Sequence, residues 1–481
     1  IIHLGKTRTD PFARKANGHN GKAITMKLEV VILAAGQGKR MKSRLPKVLH
    51  VVGGMPLLEH VICTAQGLEP RAIHVVIGHG SEQVQDALAH YDINWVVQEQ
   101  QAGTGHAVLQ ALPAISDDSI VLVLYGDVPL TRLSTLQNLV QQARTAPALL
   151  TAELQNPQGY GRILRDKIGA LVGVVEDKDA TPIQRDIREI NTGLLAAPQR
   201  DFLAYLPQVG NDNQQGEYYL PDILGLAVAN GKTVSSCAVE SELEILGVND
   251  RVQLNHLERE YQRRQAEQLM REGVNIADPA RLDIRGSLSC GEDVSIDINV
   301  VFEGKVTLGN DVSVGANCVL SDVSVADGSV IHPMSHLQQA VIGKDCSVGP
   351  YARLRPGTVL SEGARIGNFV ETKKASIGSG SKVNHLSYIG DCDVGAEVNI
   401  GAGTITCNYD GVNKHKTDIG SGVFVGSNST LVAPLQIEEQ GFVAAGSTIT
   451  GSVGRGELAV SRARQRNIEG WVRPGTRDTK D

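Results

Sequence analysis

Aliphatic residues recur every six positions through the C-terminal half of the chain. Ile284, Cys290, Ile296, Phe302, Leu308, Val314 and Leu320 form one unbroken run. The period resumes with Ile342, Val348, Leu354, Leu360 and Ile366, then slips by one to Ile377, Val383 and Ile389. A second slip leads to Val394 and Ile400, and a last run follows at Ile419, Val425, Leu431, Ile437, Val443 and Ile449. Many of these aliphatics precede a glycine, as in Leu308-Gly309, Val314-Gly315, Ile366-Gly367 and Ile400-Gly401. Six-residue periodicity is the signature of a left-handed parallel β-helix. Three hexads make one triangular coil, the aliphatic points into the prism, and small residues turn the corners. The spacing from Ile400 to Ile419 breaks the register, which predicts a loop extruded around Cys407–His415.

A prism that narrow has little room for rings, and the composition agrees. The 481 residues include 52 Gly but only 6 Phe, 2 Trp and 10 Tyr, with 41% apolar content and a net charge of −7. Plentiful apolar residues at modest charge exclude a disordered chain. Glycine without a three-residue period excludes collagen. The longest strongly apolar run, Ile120–Tyr125, is far below the roughly 18 residues of a membrane helix. No membrane partner is expected without a run of that length, and mild acidity argues against wholesale binding to nucleic acid. Seven cysteines without a C-x-x-C pair argue against a disulfide framework and for a reducing cytoplasm.

Between Met26 and about Val248 the texture is different. Apolar runs at Val30–Leu33, His74–Ile77, Ile120–Leu124 and Leu149–Ala152 alternate with helical patterns such as Leu57–Ala65 and Val84–Leu88. That alternation predicts a parallel sheet with helices on its faces, a Rossmann-like α/β domain. Arg251–Arg271 is charged and lacks glycine, with Leu254, Leu257, Tyr261 and Leu269 near one face, which predicts an amphipathic linker helix. Its arginines alternate with glutamates, so a solvated face explains them. Length alone suggests about three domains at roughly 150 residues each, but two domains and a helix fit better. The expected boundaries are an upstream extension over 1–25, polar, basic and disordered; an α/β domain over 26–250; the helix over 251–272; and the β-helix with its tail over 273–481.

Leu33-Ala34-Ala35-Gly36-Gln37-Gly38-Lys39-Arg40-Met41 follows the first predicted strand, and Leu45-Pro46-Lys47 adds another cation. Glycines there let backbone N–H groups approach phosphate oxygens, and the following helix start favours anions. Arg40 and Lys47 can neutralise a triphosphate. The loop is not a Walker sequence, and it lacks the third glycine of the dinucleotide fingerprint. Asp127 stands just past the buried strand Ile120–Tyr125, at the edge where open α/β sheets gather ligands. A carboxylate there suits Mg²⁺ carried in with a nucleoside triphosphate.

These motifs, with Gln98…Gly103-Thr-Gly-His-Ala107, Tyr125-Gly-Asp127, Gly159-Tyr-Gly-Arg162, Glu189-Ile-Asn191-Thr-Gly193, Gly216-Glu-Tyr-Tyr219 and Gly247-Val-Asn249, carry a resemblance. So do Arg353-Leu-Arg355-Pro-Gly357, Asn368-Phe-Val-Glu371, His385 and Gly401–Gly411 in the repeat region. From Met26 to the C-terminus the chain resembles the bacterial bifunctional N-acetylglucosamine-1-phosphate uridyltransferase/glucosamine-1-phosphate acetyltransferase family. One position departs: Lys39 stands where the family has a small hydroxyl residue.

The resemblance implies a bifunctional enzyme of UDP-N-acetylglucosamine synthesis. The first domain would join UTP to N-acetylglucosamine-1-phosphate and release pyrophosphate, with Arg40 and Lys47 on the phosphates. Leu33, Ala34, Ala35, Gly36, Gln98, Gly103, Thr104, Tyr125 and Gly126 would contact the nucleotide. Gly161, Glu176 and Asn191 would bind the sugar, and Asp127 and Asn249 would hold Mg²⁺. The β-helix would acetylate glucosamine-1-phosphate with acetyl-CoA. There His385 would be the general base, and Arg355 and Lys373 would grip the phosphate. Tyr388 and Asn399 would hold the sugar, and Ala402, Asn408, Tyr409, Ser427, Ala445 and Arg462 would contact acetyl-CoA. Lys414, in the extruded loop, would reach a neighbouring site. Flat-sided coils would pack as a homotrimer, with Trp471 in the basic tail a candidate anchor. Three other readings compete: a zinc-dependent hydratase using His332 and His336, a pyrophosphorylase with a non-catalytic β-helix trimerisation arm, and a non-enzymatic scaffold.

Overall fold

The computed structural model describes residues 27–36, 38–78 and 81–475. The expected extension over 1–25 therefore lies outside the described residues. The chain forms two compact units, the first running to Arg264 and the second starting at Gln265.

The first unit is built on a nine-stranded sheet. Its main order is Ser235–Ala238, Ala148–Glu153, Glu189–Pro198, Ile120–Tyr125, Leu28–Leu33, Ala72–Gly78 and Asn94–Gln98. Alternate residues of the central strands feed opposite faces. Val30, Ile32, Leu122 and Leu124 join one apolar core, and Val31, Leu33, Val121 and Val123 join the other. Helices Leu57–Gln66 and Leu133–Gln142 cover the first face, and Thr104–Ala111 and Asp222–Ala229 the second. The sheet is not wholly parallel as expected. Glu189–Pro198 runs antiparallel to both its neighbours. The reason lies in the chain that precedes it. A hairpin, Arg162–Arg165 with Leu171–Val175, occupies the place of a crossover helix, and without a crossover the returning strand reverses direction.

The second unit is a stack of short parallel strands, the left-handed β-helix that the six-residue period implies. Each core position pairs with the same position one coil on. Ile296, Val314, Ile331, Val348, Ile366, Val383 and Ile400 form one column. Leu308, Val325, Ile342, Leu360, Ile377 and Val394 form another. A third runs Ile284, Phe302, Leu320, Leu337, Leu354, Thr372 and Ile389. Val325, Ile331 and Leu337 thus fill the apparent gap between Leu320 and Ile342. The period slips there because some coils are one residue shorter. Thr372 continues its column because its hydroxyl pairs with Thr358 Oγ1 at 3.0 Å, which satisfies both groups inside the prism. Cys290 is only half-buried.

The glycines after the aliphatics have a different task from the one expected. Many corners are turned by non-glycine residues with positive φ, among them Asp293, Asp311, Asn317 and Asp345, residues that tolerate that conformation. At Gly401 a Cβ would fall 2.5 Å from Ser427 N and 2.7 Å from Val425 O of the next coil. Close approach of successive coils excludes a side chain there. The extruded loop is confirmed: Ile400 pairs with Val425, and Tyr409 bridges antiparallel to Lys414 within the longer coil. Among the described residues, no helix is long and apolar enough to cross a membrane.

The helix Arg251–Arg271 is part of both cores. Leu257 and Tyr261 are buried with Met41, Val52, Leu57, Leu130 and Val248 of the first unit. Ala266 and Leu269 belong to the core of the second. From the sequence, a truncation after about Gln253 is expected to leave a soluble fragment competent in uridylyl transfer. The structure moves that cut, because it would strip Leu257 and Tyr261 from their core. Burying each such side chain contributes about 2 kcal/mol. A fragment ending at Arg264 should unfold cooperatively in urea, and one ending at Gln253 should be less stable by at least ~3 kcal/mol. Equal midpoints would show that the helix adds nothing to the first core.

Candidate active sites

In the first unit the glycine loop leaves the C-terminal end of Leu28–Leu33. Hydrogen bonds from Ala34 N to Val76 O (2.8 Å) and from Gly126 N to Leu33 O (2.9 Å) tie it to both neighbouring strands. Gly38 has φ 59°, and a Cβ there would meet Lys47 Cβ at 2.7 Å. Glycine is therefore needed for both torsion and space. That close approach seats Lys47, whose Nζ lies 2.5 Å from Asp127 Oδ2 with both side chains largely shielded from water. The same ammonium lies 4.0 Å from where a Cβ on Gly36 would stand, so it sits over the loop. Arg40 and Lys39 are exposed beside it. The sheet edge therefore offers backbone N–H groups and cations around one carboxylate. Lys39 is solvent-facing in the short helix Lys39–Met41, and nothing in the structure assigns it a partner role.

Gly103, with φ 112°, starts the helix Thr104–Ala111, and Gln98 Nε2 donates to Gly103 O at 3.3 Å. Thr104 Oγ1 accepts from Leu220 N at 3.1 Å. The Tyr125 ring fills the space above Gly193, where a Cβ would lie 2.6 Å from it. Burial, reinforced by Glu176 and Asp127, pushes the Tyr125 phenol well above its usual range, so it stays a neutral donor. Gly161, Glu176 and Asn191 come together from three segments. Asn191 N donates to Gly161 O at 2.8 Å, and a Cβ on Gly161 would meet Glu176 Oε1 at 2.9 Å. Burial, and then the Asp222 charge, raise the Glu176 carboxyl, while a hydrogen bond from Asn191 offsets part of that rise.

The Gly247-Val-Asn249 segment lies against Asp127, since Val248 N donates to Asp127 O at 3.0 Å. A carboxylate and an amide oxygen suit a hard divalent cation that keeps several waters, so the donor chemistry fits. Among the described residues there is no group of three His, Cys, Asp or Glu able to hold a metal. His332 bonds Ser347 Oγ and His336 bonds Arg353 instead.

In the second unit the coil register brings distant residues into ladders. Leu386 N bonds Asn368 O, Gly403 N bonds His385 O, Asn428 N bonds Ala402 O, and Gly446 N bonds Ser427 O. One corner therefore carries Asn368, His385, Ala402, Ser427 and, a residue before Gly446, Ala445. Arg462 joins this edge by donating from Nη1 to Ala445 O at 2.6 Å. His385 Nδ1 donates to Asn368 Oδ1 at 2.9 Å. Because an amide oxygen only accepts, that bond requires the proton on Nδ1, which leaves Nε2 as the acceptor nitrogen of an exposed side chain.

The face that starts beyond this corner carries Tyr388 in register with Glu371 and Arg353. At its far edge stand Arg355, whose Nη1 donates to Glu371 Oε1 at 2.8 Å, and Lys373, one coil on. Lys414 lies beside Lys373 and depresses its ammonium, with burial and Arg355 adding to the effect. Lys373, Lys414 and Arg355 are gathered together, with the Glu371 and Asp391 carboxylates among them. Lys414 thus reaches Lys373 of its own chain. Asn408 donates to Asp391, and Tyr409 is exposed at the hairpin. Asn399 lies on the preceding face, in register with Lys382 and Phe424, away from Tyr388.

The motif reading gave no role to Asn368, Glu371, Asp391 or Asp222. Asn368 stands one coil before His385, so the repeat length held that signal. Asp222 has no comparable signal, because its neighbours come from distant loops.

A nucleotide-handling sheet with a glycine loop, joined to a hexapeptide β-helix bearing a histidine and a cation cluster, defines a two-site transferase. Residues 30–189 match the model of the MobA-like NTP transferase domain, and residues 284–377 match that of the GMPPB C-terminal domain. The chain is 56% identical over 448 residues to the bifunctional protein GlmU of Marinobacter nauticus, covering 93% of this chain and 99% of that one. It is 56% identical over 450 residues to the GlmU of Alkalilimnicola ehrlichii, covering 94% and 97%. Against the GlmU of Pseudomonas entomophila it is 54% identical over 450 residues, covering 93% and 99%. The chain belongs to the bifunctional GlmU family.

Burial and the Asp179 charge push the Asp222 carboxyl up to about 6. A raised folded value means that the folded state holds the proton more tightly than the unfolded chain. Stability from this group is present below about pH 4 and is lost as pH rises through 6. Asp222→Asn should therefore raise Tm at pH 8, with the gain fading toward pH 4. An equal gain at both pH values in thermal denaturation would contradict the shift.

Proposed function

We propose that the second unit transfers acetyl from acetyl-CoA to the amine of glucosamine-1-phosphate. The first unit then joins the product to UTP, yielding UDP-N-acetylglucosamine and pyrophosphate. The observation that carries the reading is the His385–Asn368 bond at the corner ladder. It presents an acceptor nitrogen next to an edge suited to an extended acyl carrier. The substrate amine attacks the thioester carbonyl, and its N–C bond forms as His385 Nε2 takes the proton. The C–S bond then breaks, and the leaving thiolate recovers that proton. Arg355 and Lys373 sit one face-width from His385, which suits a sugar bearing phosphate at one end and amine at the other. Tyr388 lies between them. Asn399, on another face of the same coil, would reach a sugar held by a neighbouring copy.

Uridylyl transfer is chiefly a matter of position and charge. Arg40 and Lys47 neutralise the triphosphate, and loop N–H groups from Ala35, Gly36 and the flanking backbone orient it. Gln98, Gly103 and Thr104 read the base, while Gly161, Glu176 and Asn191 orient the sugar phosphate for in-line attack on the α-phosphorus. Asp127 and Asn249 would hold Mg²⁺, which when bound would supply positive charge beside the triphosphate. Leu33, Ala34, Tyr125 and Gly126 form the floor of this subsite.

A homotrimer fits an exposed ridge on the β-helix. Tyr351 and Phe369 stack 5.2 Å apart while half-exposed, with Leu386 next along the corner. Such a patch commonly marks an interface. Seven free cysteines and these substrates suit the cytoplasm.

His385→Ala should lower free-thiol release from acetyl-CoA by at least ~100-fold and leave pyrophosphate release unchanged. Asp127→Ala should do the reverse. Wild-type pyrophosphate release without thiol release would support the non-catalytic arm. Loss of both activities in either variant would contradict two separate sites.

A further inference from the structure

Arg162 is the largest side chain among the fully buried residues, with 2% of its surface exposed. A guanidinium so enclosed is costly unless its donors are engaged. Its Nη1 donates to Tyr160 O, and its Nη2 donates to Asp177 Oδ1 at 2.9 Å and toward Arg185 O at 3.5 Å. Its Nε has no partner among the described residues. Three anchors therefore converge on one group from the loop before its own strand, the loop after Leu171–Val175, and the segment leading into Glu189–Pro198.

The register makes that convergence specific. Arg162 pairs with Val175 on one side and with Ile190 on the other. Gly161 is the residue before Arg162, Glu176 the residue after Val175, and Asn191 the residue after Ile190. All three residues assigned to the sugar are thus direct neighbours of this one three-strand rung. Side chains alternate across a strand, so the guanidinium lies on the opposite side of the rung from them. It is also the cation on Asp177, which adjoins Glu176 in a cluster with Asp179 and Asp222. Without it, the Asp177 charge would push further against Glu176.

We infer that Arg162 is the positioning residue of the acceptor-sugar subsite, holding Gly161, Glu176 and Asn191 in register from behind without touching substrate. The inference rests on the uridylyl-transfer reading above. It accounts for a buried, incompletely satisfied charge where a well-packed aliphatic would stabilise the fold as well.

The test uses the full chain and compares wild type with Arg162→Lys, Arg162→Met and Asp177→Asn. Arg162→Lys keeps the charge but loses the fork that spans three anchors. It should raise the KM for N-acetylglucosamine-1-phosphate at least tenfold while the KM for UTP and acetyl transfer stay within twofold. Arg162→Met should do the same more severely. Asp177→Asn, on a side chain 26% exposed, should give a smaller rise with the same selectivity, so the test stands even if Arg162→Met fails to fold. Calorimetric binding of N-acetylglucosamine-1-phosphate should weaken in parallel. Equal rises in both KM values, or a lowered Tm with unchanged KM values, would overturn the positioning role and leave a purely structural one. A wild type that neither turns over nor binds the sugar phosphate would overturn the uridylyl-transfer reading itself, and the inference with it.

Discussion

Backbone hydrogen bonding between successive coils is the constraint on which the acetyl-transfer half depends. In a parallel β-helix each residue lies beside the one a coil further on, so contacts are fixed by repeat length. Asn368 meets His385 for that reason, and Ala402, Ser427 and Ala445 continue the same edge. The narrow aliphatic prism holds the coils in register, because a slip of one residue would turn every apolar side chain outward. Asn368, His385 and the edge beside them are thus by-products of core packing, held on rigid backbone rather than on mobile loops.

The nucleotide half relies on the same economy in another form. Strand ends at one edge of the sheet deliver Leu33, Tyr125 and Asp127, and the tight turn at Gly38 brings Lys47 onto that carboxylate. Gly161 and Glu176, proposed for the sugar, flank a hairpin inserted where a crossover helix would stand, and Asn191 lies on the strand that follows it. That insertion reverses Glu189–Pro198 and creates the three-strand rung around Arg162. One departure from regular α/β topology therefore supplies a whole subsite.

The β-helix was largely legible because six-residue periodicity is a property of the chain alone. Between Leu320 and Ile342 the coils shorten by a residue, and strict six-fold counting cannot follow. Thr372 escaped notice because a hydroxyl looks foreign to a core until its partner, Thr358, is known. The glycine loop and Asp127 were visible as motifs beside apolar strands. The antiparallel strand was not, since direction depends on what the intervening residues do in space. The helix Arg251–Arg271 was visible, but its attachment to both cores was not. Nor could the sequence show that Asp222 lies near Glu176, because that proximity arises from distant loops folding together.

Under the proposed acetyl transfer, coil register would prepare His385, through Asn368, to accept a proton. Replacing Asn368 with Ala removes the acceptor on Nδ1 and leaves the coil backbone intact. Steady-state acetyl transfer by the full chain then tests the claim most directly. The kcat should fall by about tenfold or more, with KM for acetyl-CoA and glucosamine-1-phosphate and the rate of pyrophosphate release unchanged. An unchanged kcat would contradict it.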